Sequence, residues 1–150
     1  MCCRLTLPVL SKIRQIRLRL RCEHSDVGTV LVVDDDADLR QLFRLALALA
    51  GYQVIEAADG LDALRVLEGH RPDAGVLDLD LPLFSGHVIR QELAAQPHTR
   101  DIPVVIVTGL PGDHVELEAD CMLRKPVSPD RLVATLKKCL GGAQGAPAFA

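Results

Sequence analysis

Tryptophan is missing from this sequence, and aromatic residues make up only 3% of it. A hydrophobic core must therefore be built from Leu, Val, Ile and Ala. No uninterrupted apolar run approaches the roughly 20 residues that a membrane helix needs. The densest stretch, Leu45 to Ala50, is short and directly follows Arg44, so no membrane span is expected. Cys2, Cys3, Cys22, Cys121 and Cys139 include no CxxC pair of the kind used by zinc or redox sites. The opening MCCRLTLPVL is followed by further basic residues instead of a cleavage site. An odd, scattered set of cysteines without a leader reads as reduced thiols, and a cytoplasmic location is expected.

What remains suits one compact domain. The chain has 150 residues, of which 49% are apolar. Its net charge of −3 is unevenly spread. Residues 1–27 carry six basic residues against Glu23 and Asp26, whereas the remainder holds 11 basic and 18 acidic residues. The body is acidic, which argues against nucleic-acid binding by it. The first segment reads as a separate basic extension or linker, residues 1–27. Within it, Ile16 to Cys22 alternates apolar and basic residues, the pattern of a short strand with one polar face.

From Thr29 the pattern changes. TVLVVD (29–34) is an apolar, β-branched run expected for a strand buried on both faces. A helix follows Asp38, with Leu39, Leu42, Phe43, Ala46, Leu49 and Ala50 at inward spacing, and Gly51 stops it. YQVIEA (52–57), DAGVLD (73–78), IPVVIVT (102–108) and CMLRKP (121–126) read as further strands. Helices are expected over Leu61 to Glu68 and from Ser85-Gly86 through Leu93. A last helix starts at Ser128-Pro129-Asp130, turns Leu132, Val133, Leu136 and Leu140 inward, and ends at Gly141-Gly142. The domain is bounded at 28–141, with a flexible tail over 142–150. Strands alternating with helices imply an α/β fold: a doubly wound, five-stranded parallel sheet covered on both faces. In such folds the ligand site lies at the carboxyl ends of the strands.

Those ends hold polar residues that a core would not need. The first strand ends in Asp34, Asp35 and Asp36, the third in Asp78, the fourth in Thr108, and the fifth in Lys125 before Pro126. Carboxylates crowded together repel, which raises pKa values or demands a cation, and for a cation hard oxygen donors favour Mg²⁺. A carboxylate beside such an ion can attack a phosphoryl donor. A lysine and a threonine hydroxyl can then offset charge on the phosphoryl oxygens.

The segments VLVVDDDADLR (30–40), VLDLDLPLFSG (76–86), VIVTG (105–109) and RKP (124–126) resemble the four signatures of response-regulator receiver domains. The resemblance covers about 28–140 and implies a flavodoxin-like (βα)5 fold. By position it implies Asp78 as phospho-acceptor, because Pro82 and Gly86 follow at the family's spacing. It implies Asp34 and Asp35 as the acidic pair for Mg²⁺, with Asp78 and the backbone carbonyl of Asp80 as further metal ligands. Thr108 matches the switch hydroxyl and Lys125 the phosphate-contacting lysine, whose bond to Pro126 is usually cis. The implied donor is a histidine kinase or histidine phosphotransfer protein. The implied output is through a downstream protein target, so the chain acts as a switch and not as an enzyme.

Three departures stand out. The stretch from Thr108 to Lys125 is shorter than the family norm and leaves only about His114 to Ala119 for a shortened fourth helix. Met122 replaces the usual switch aromatic, and Glu118 stands where Gly is common. Output is therefore expected to use a face other than the fourth helix, or to work by occupying the kinase. With no second folded domain expected after residue 142, no attached DNA-binding domain is expected either. Other readings are a degenerate receiver that only docks partners, a metal-dependent phosphatase with an aspartate nucleophile, and a flavodoxin-like cofactor binder. No Gly-rich phosphate loop follows the first strand to support the last of these.

Overall fold

The computed structural model describes residues 28–109 and 121–143. The alternating segment 16–22, the short fourth helix expected at 114–119, Glu118 and the tail beyond residue 143 lie outside the described residues. In chain order the elements are β1 (Thr29–Val33), α1 (Ala37–Leu49), β2 (Gln53–Ala57) and α2 (Gly60–Gly69). They continue with β3 (Ala74–Asp78), α3 (Gly86–Ala95), β4 (Val104–Thr108), β5 (Cys121–Arg124) and α4 (Pro129–Ala143). All strand pairs are parallel, in the order β2-β1-β3-β4-β5. This is the flavodoxin-like order, with its crevice where the chain reverses direction across the sheet between β1 and β3.

Strand alternation divides the core in two. Val30, Val32, Val76, Val105 and Val107 pack on one face with Phe43 and Leu47 of α1 and Leu132 and Leu136 of α4. Leu31, Val33, Leu77, Val104 and Ile106 pack on the other with Ala63 and Leu67 of α2 and Ile89 and Leu93 of α3. Successive residues of a strand point to opposite faces, so a strand covered on both sides must be apolar throughout. This is why β3 and β4 are buried at every position.

Local chemistry sets the helix ends. Asp36, not Asp38, caps α1: its Oδ1 accepts from the backbone N–H of Asp38 at 3.0 Å and of Leu39 at 3.1 Å. Gly51, at φ 95°, follows the end of α1 in the left-handed region. Asp59 caps α2 through the N–H of Asp62 at 2.8 Å. Ser128 precedes α4, as its sequence suggests, and Pro129 opens it. Gly141 does not stop α4, which runs to Ala143.

Two expectations are corrected. Leu42 and Leu49 do not face the core; they are 43% and 90% exposed, and Leu47 is buried in their place. Six apolar positions span more of the α1 surface than one sheet face can cover, so part of the stripe is left outside. Cys121 and Cys139 are also not free thiols. A disulfide joins the start of β5 to α4, with the Cα atoms 6.5 Å apart. Their separation of 18 residues matches no local motif, and only the packing of α4 against β5 brings them together.

Candidate functional site

The site forms because β1 and β3 are neighbours. Asp34 follows the last residue of β1 and Asp78 ends β3; each is only 2% exposed. Asp35, the next residue, is exposed at the rim. One carboxylate oxygen from each of Asp34, Asp35 and Asp78 lies within 4.8 Å of the others.

Asp34 is held from several sides. Its Oδ1 accepts from the Asp36 N–H at 2.9 Å, and its carbonyl accepts from Arg40 Nη1 at 2.7 Å. Arg40 in turn pairs with Glu56 of β2 at 3.3 Å. Burial pushes the Asp34 carboxyl above its ordinary range. The Asp36 N–H and the charge of Lys125 act against that rise, and the charge of Asp78 adds to it.

Asp78 uses both oxygens. Oδ1 accepts from the Asp80 N–H at 2.9 Å, and Oδ2 accepts from Lys125 Nζ at 2.7 Å. Lys125 Nζ also donates to Asp34 Oδ2 at 3.3 Å, so one ammonium bridges two buried carboxylates. Burial alone would lower the lysine's pKa. The hydrogen bond to Asp78 and the charges of Asp34 and Asp78 outweigh this and raise it. The Lys125 N–H donates to the Thr108 carbonyl at 2.9 Å, which ties the residue after β5 to the end of β4. The Lys125-Pro126 peptide is cis.

Thr108 is 3% exposed at the carboxyl end of β4, one residue beyond Val107, the register partner of Asp78. The side chain of Asp80 is exposed. The structure thus gathers Asp34, Asp35, Asp78 and Lys125 into direct proximity. It places Thr108 and Asp80 at the adjacent strand end and loop.

Three further residues flank the site; of these only Gly86 was marked in the sequence, by its spacing from Asp78. Arg40 clamps the Asp34 backbone; its position in the first turns of α1 was the available signal. Gly86, the first residue of α3, lies so close that an added Cβ would stand 2.5 Å from the Asp78 carbonyl and 2.9 Å from Leu79 Cα. A side chain there would push α3 off β3. Leu83 sits at φ 69° and is 90% exposed, a conformation and an exposure both unfavourable for leucine. No local pattern marks it.

The donor set suits a hard divalent cation. Three carboxylates converge, and two of them are buried with a single lysine between them. Charge of that density is stabilised by a cation and is chemically able to attack an electrophile. No described helix is long and apolar enough to cross a membrane.

Comparison with known proteins agrees with this geometry. The sequence pattern of the response regulator receiver domain matches residues 30–137. The polar-differentiation response regulator DivK of Brucella anthropi is 33% identical over 120 residues, covering 77% of this chain and 98% of that protein. A probable transcriptional regulator of Porphyridium aerugineum is 37% identical over 116 residues, covering 74% of this chain but 47% of that protein. The chain thus spans about half the length of several curated relatives it matches. Among solved structures, the receiver domain of a sensor histidine kinase from Pseudomonas aeruginosa, with a magnesium ion coordinated in its active site cleft, superposes with a TM-score of 0.70. It is 29% identical, covering 76% of this chain and 98% of that one. With the fold, the strand-end carboxylates and the sequence pattern in agreement, this chain belongs to the response regulator receiver domain family of two-component signalling.

Proposed function

We propose that this chain accepts a phosphoryl group on Asp78 from the phosphohistidine of a histidine kinase or phosphotransfer protein, in a magnesium-dependent reaction. The observation that carries this reading is the state of Asp78: a buried carboxylate at a strand end, held on both oxygens, with two more carboxylates beside it.

In the step, a carboxylate oxygen of Asp78 forms a bond to phosphorus. The P–N bond to the donor imidazole breaks, and its electron pair leaves with the imidazole. The product is an acyl phosphate. Asp34, Asp35 and Asp78, with the backbone carbonyl of Asp80, would hold the magnesium ion, which when bound supplies positive charge against the phosphoryl oxygens. Lys125 already reaches Asp78 and keeps its charge, so its ammonium can move onto a phosphoryl oxygen with little displacement. Thr108, buried at the end of β4, would donate its hydroxyl to another. The Asp80 N–H holds the Asp78 carboxylate, and Arg40 holds the Asp34 backbone, before the donor arrives, which lowers the reorganisation needed. The chain acts as a switch whose output is protein–protein interaction, and its chemistry is limited to gaining and losing its own phosphoryl group.

The test is intact mass after incubation with Mg²⁺ and acetyl phosphate or phosphoramidate, wild type beside Asp78→Ala. A single phosphoryl adduct that needs Mg²⁺ and is lost in the variant is expected. A folded wild type that takes no adduct would overturn the proposal.

A further inference from the structure

Cys121 and Cys139 take no part in the proposed reaction, yet their bond encloses one of its residues. Cys121 opens β5, and Lys125, whose ammonium bridges Asp34 and Asp78, directly follows that strand. Cys139 lies on α4, 18 residues further along the chain. The closed loop therefore holds all of β5, Lys125 and the first turns of α4.

The two ends of the bond are held unequally. Cys139 shares the inner face of α4 with Leu132 and Leu136, and all three are buried. By contrast, β5 is an edge strand of four residues whose ladder partner is β4, and Leu123 is its one buried residue. Helix α4 is thus a firm anchor and β5 a lightly held arm. The disulfide ties the arm to the anchor. The bond from the Lys125 N–H to the Thr108 carbonyl continues the same arm into the site.

The fold does not depend on this bond. Disulfides staple small domains that cannot build a sufficient core, whereas this sheet has an apolar cluster on each face. A reduced Cys139 remains a small apolar residue within its stripe, so the dithiol form keeps α4 packed. Cys121 is only half-buried, so an external thiol can reach that end of the bond.

We propose that Cys121 and Cys139 form a redox-reversible site that exchanges with a glutathione-type thiol–disulfide couple, and that its state sets how firmly Lys125 is held at the two carboxylates. The inference rests on the reading of Asp78 as phospho-acceptor and adds a second input to that site. In oxidation, one cysteine thiolate attacks a sulfur of the external disulfide. That S–S bond breaks, and one external thiolate leaves with its electron pair and takes up a proton. The second cysteine thiolate then attacks the protein sulfur of the mixed disulfide and expels the other external thiolate. Two protein thiols and one external disulfide thus give the protein disulfide and two external thiols. Reduction runs in reverse, with attack at Cys121 Sγ and departure of the Cys139 thiolate.

The test uses the full chain with Cys2, Cys3 and Cys22 changed to serine, so that this pair alone titrates. The protein is equilibrated at a series of reduced-to-oxidised glutathione ratios. Thiols are counted by alkylation and mass, amide exchange is followed by fragment, and acyl-phosphate formation is timed with phosphoramidate and Mg²⁺. The thiol count should change by two in a single step. The hydrogen-bonded amides of β5 and the Lys125 N–H should exchange roughly tenfold or more faster in the dithiol form, while those of β1 and β3 hold. Acyl-phosphate formation should slow in the dithiol form, with the same midpoint as the thiol count. Cys121→Ser, a change at the half-buried end, should behave as the dithiol form at every ratio. A folded chain whose bond resists reduction, or fails to re-form in oxidised glutathione, would overturn the proposal. So would β5 exchange that is equal in the two states, or a reaction rate indifferent to the glutathione ratio. Absence of any adduct in both states would instead overturn the reaction at Asp78, and the thiol count and β5 exchange would still decide whether the pair is a redox site that loosens the arm.

Discussion

Replacing Lys125 with methionine tests the electrostatic reading of the site most directly. The change keeps much of the apolar stem and removes the ammonium. The Lys125–Asp78 contact at 2.7 Å is a charge-assisted hydrogen bond, and the contact to Asp34 at 3.3 Å is longer and weaker. Hydrogen bonds to charged groups contribute about 1.5–3 kcal/mol, and removing one partner of a fully buried ion pair costs about 3–5 kcal/mol. Both carboxylates are 2% exposed, but the lysine side chain retains 26% exposure, so water screens part of the loss. A destabilisation of about 2–3 kcal/mol follows for the metal-free protein, or roughly 5–10 °C in Tm. Urea unfolding in EDTA and then in Mg²⁺ measures it. A ligand at ten times its Kd adds about 1.4 kcal/mol to the folded state. That gain should be larger in K125M, where the carboxylates lack their counter-charge. Acid should also narrow the gap. The Asp34 carboxyl is already raised in the fold, so the folded state holds a proton that the unfolded chain has lost. Its contribution to stability therefore falls as pH rises through the window above 3.8 and recovers as pH drops. A K125M midpoint equal to wild type in EDTA, or a smaller Mg²⁺ gain in the variant, would refute the reasoning.

Other outcomes follow from single contacts. Gly86→Ala puts a methyl group into the Asp78 carbonyl and should cost about 1–3 kcal/mol and slow acyl-phosphate formation, as read by urea midpoint and adduct yield. Leu83→Gly relieves a left-handed backbone worth about 1–2 kcal/mol and loses about 0.5–1 kcal/mol to chain entropy, so a small rise in Tm is expected; a fall would show that Leu83 packs usefully. Tyr52, the single tyrosine, is buried, and burial raises its phenol above 10.0. The folded state therefore keeps a proton that the unfolded chain releases, and stability falls as pH climbs past 10.0. Tyrosinate absorbance in the folded chain, beside the same titration in urea, checks the shift without interference from tryptophan.

Much of this was legible in the linear chain. A strand covered on both faces has to be apolar at every position, so VLVV (30–33) and VVIV (104–107) announce a parallel sheet without help from anything distant. The polar residues directly after these runs, Asp34 and Thr108, are of no use to an apolar core, and their placement at strand ends follows from the chain itself. Other features needed the assembled fold. The bridge from Lys125 to Asp34 spans 91 residues and exists because the parallel sheet brings the carboxyl ends of β1, β3 and β5 to the same edge, which no local pattern encodes. The disulfide between Cys121 and Cys139, the clamp of Arg40 on Asp34, and the close approach of Gly86 to Asp78 are likewise contacts between elements. The outward turn of Leu42 and Leu49 is the sharpest case. Periodicity marks a helix and its apolar residues, but how wide a stripe is covered depends on where the neighbouring helix stops. The sequence by itself determined which segments are strands and helices and which polar residues end the strands, because both depend on neighbours along the chain. The distances that bring those residues together, and the leucines of α1 left exposed, were decided only when the elements packed.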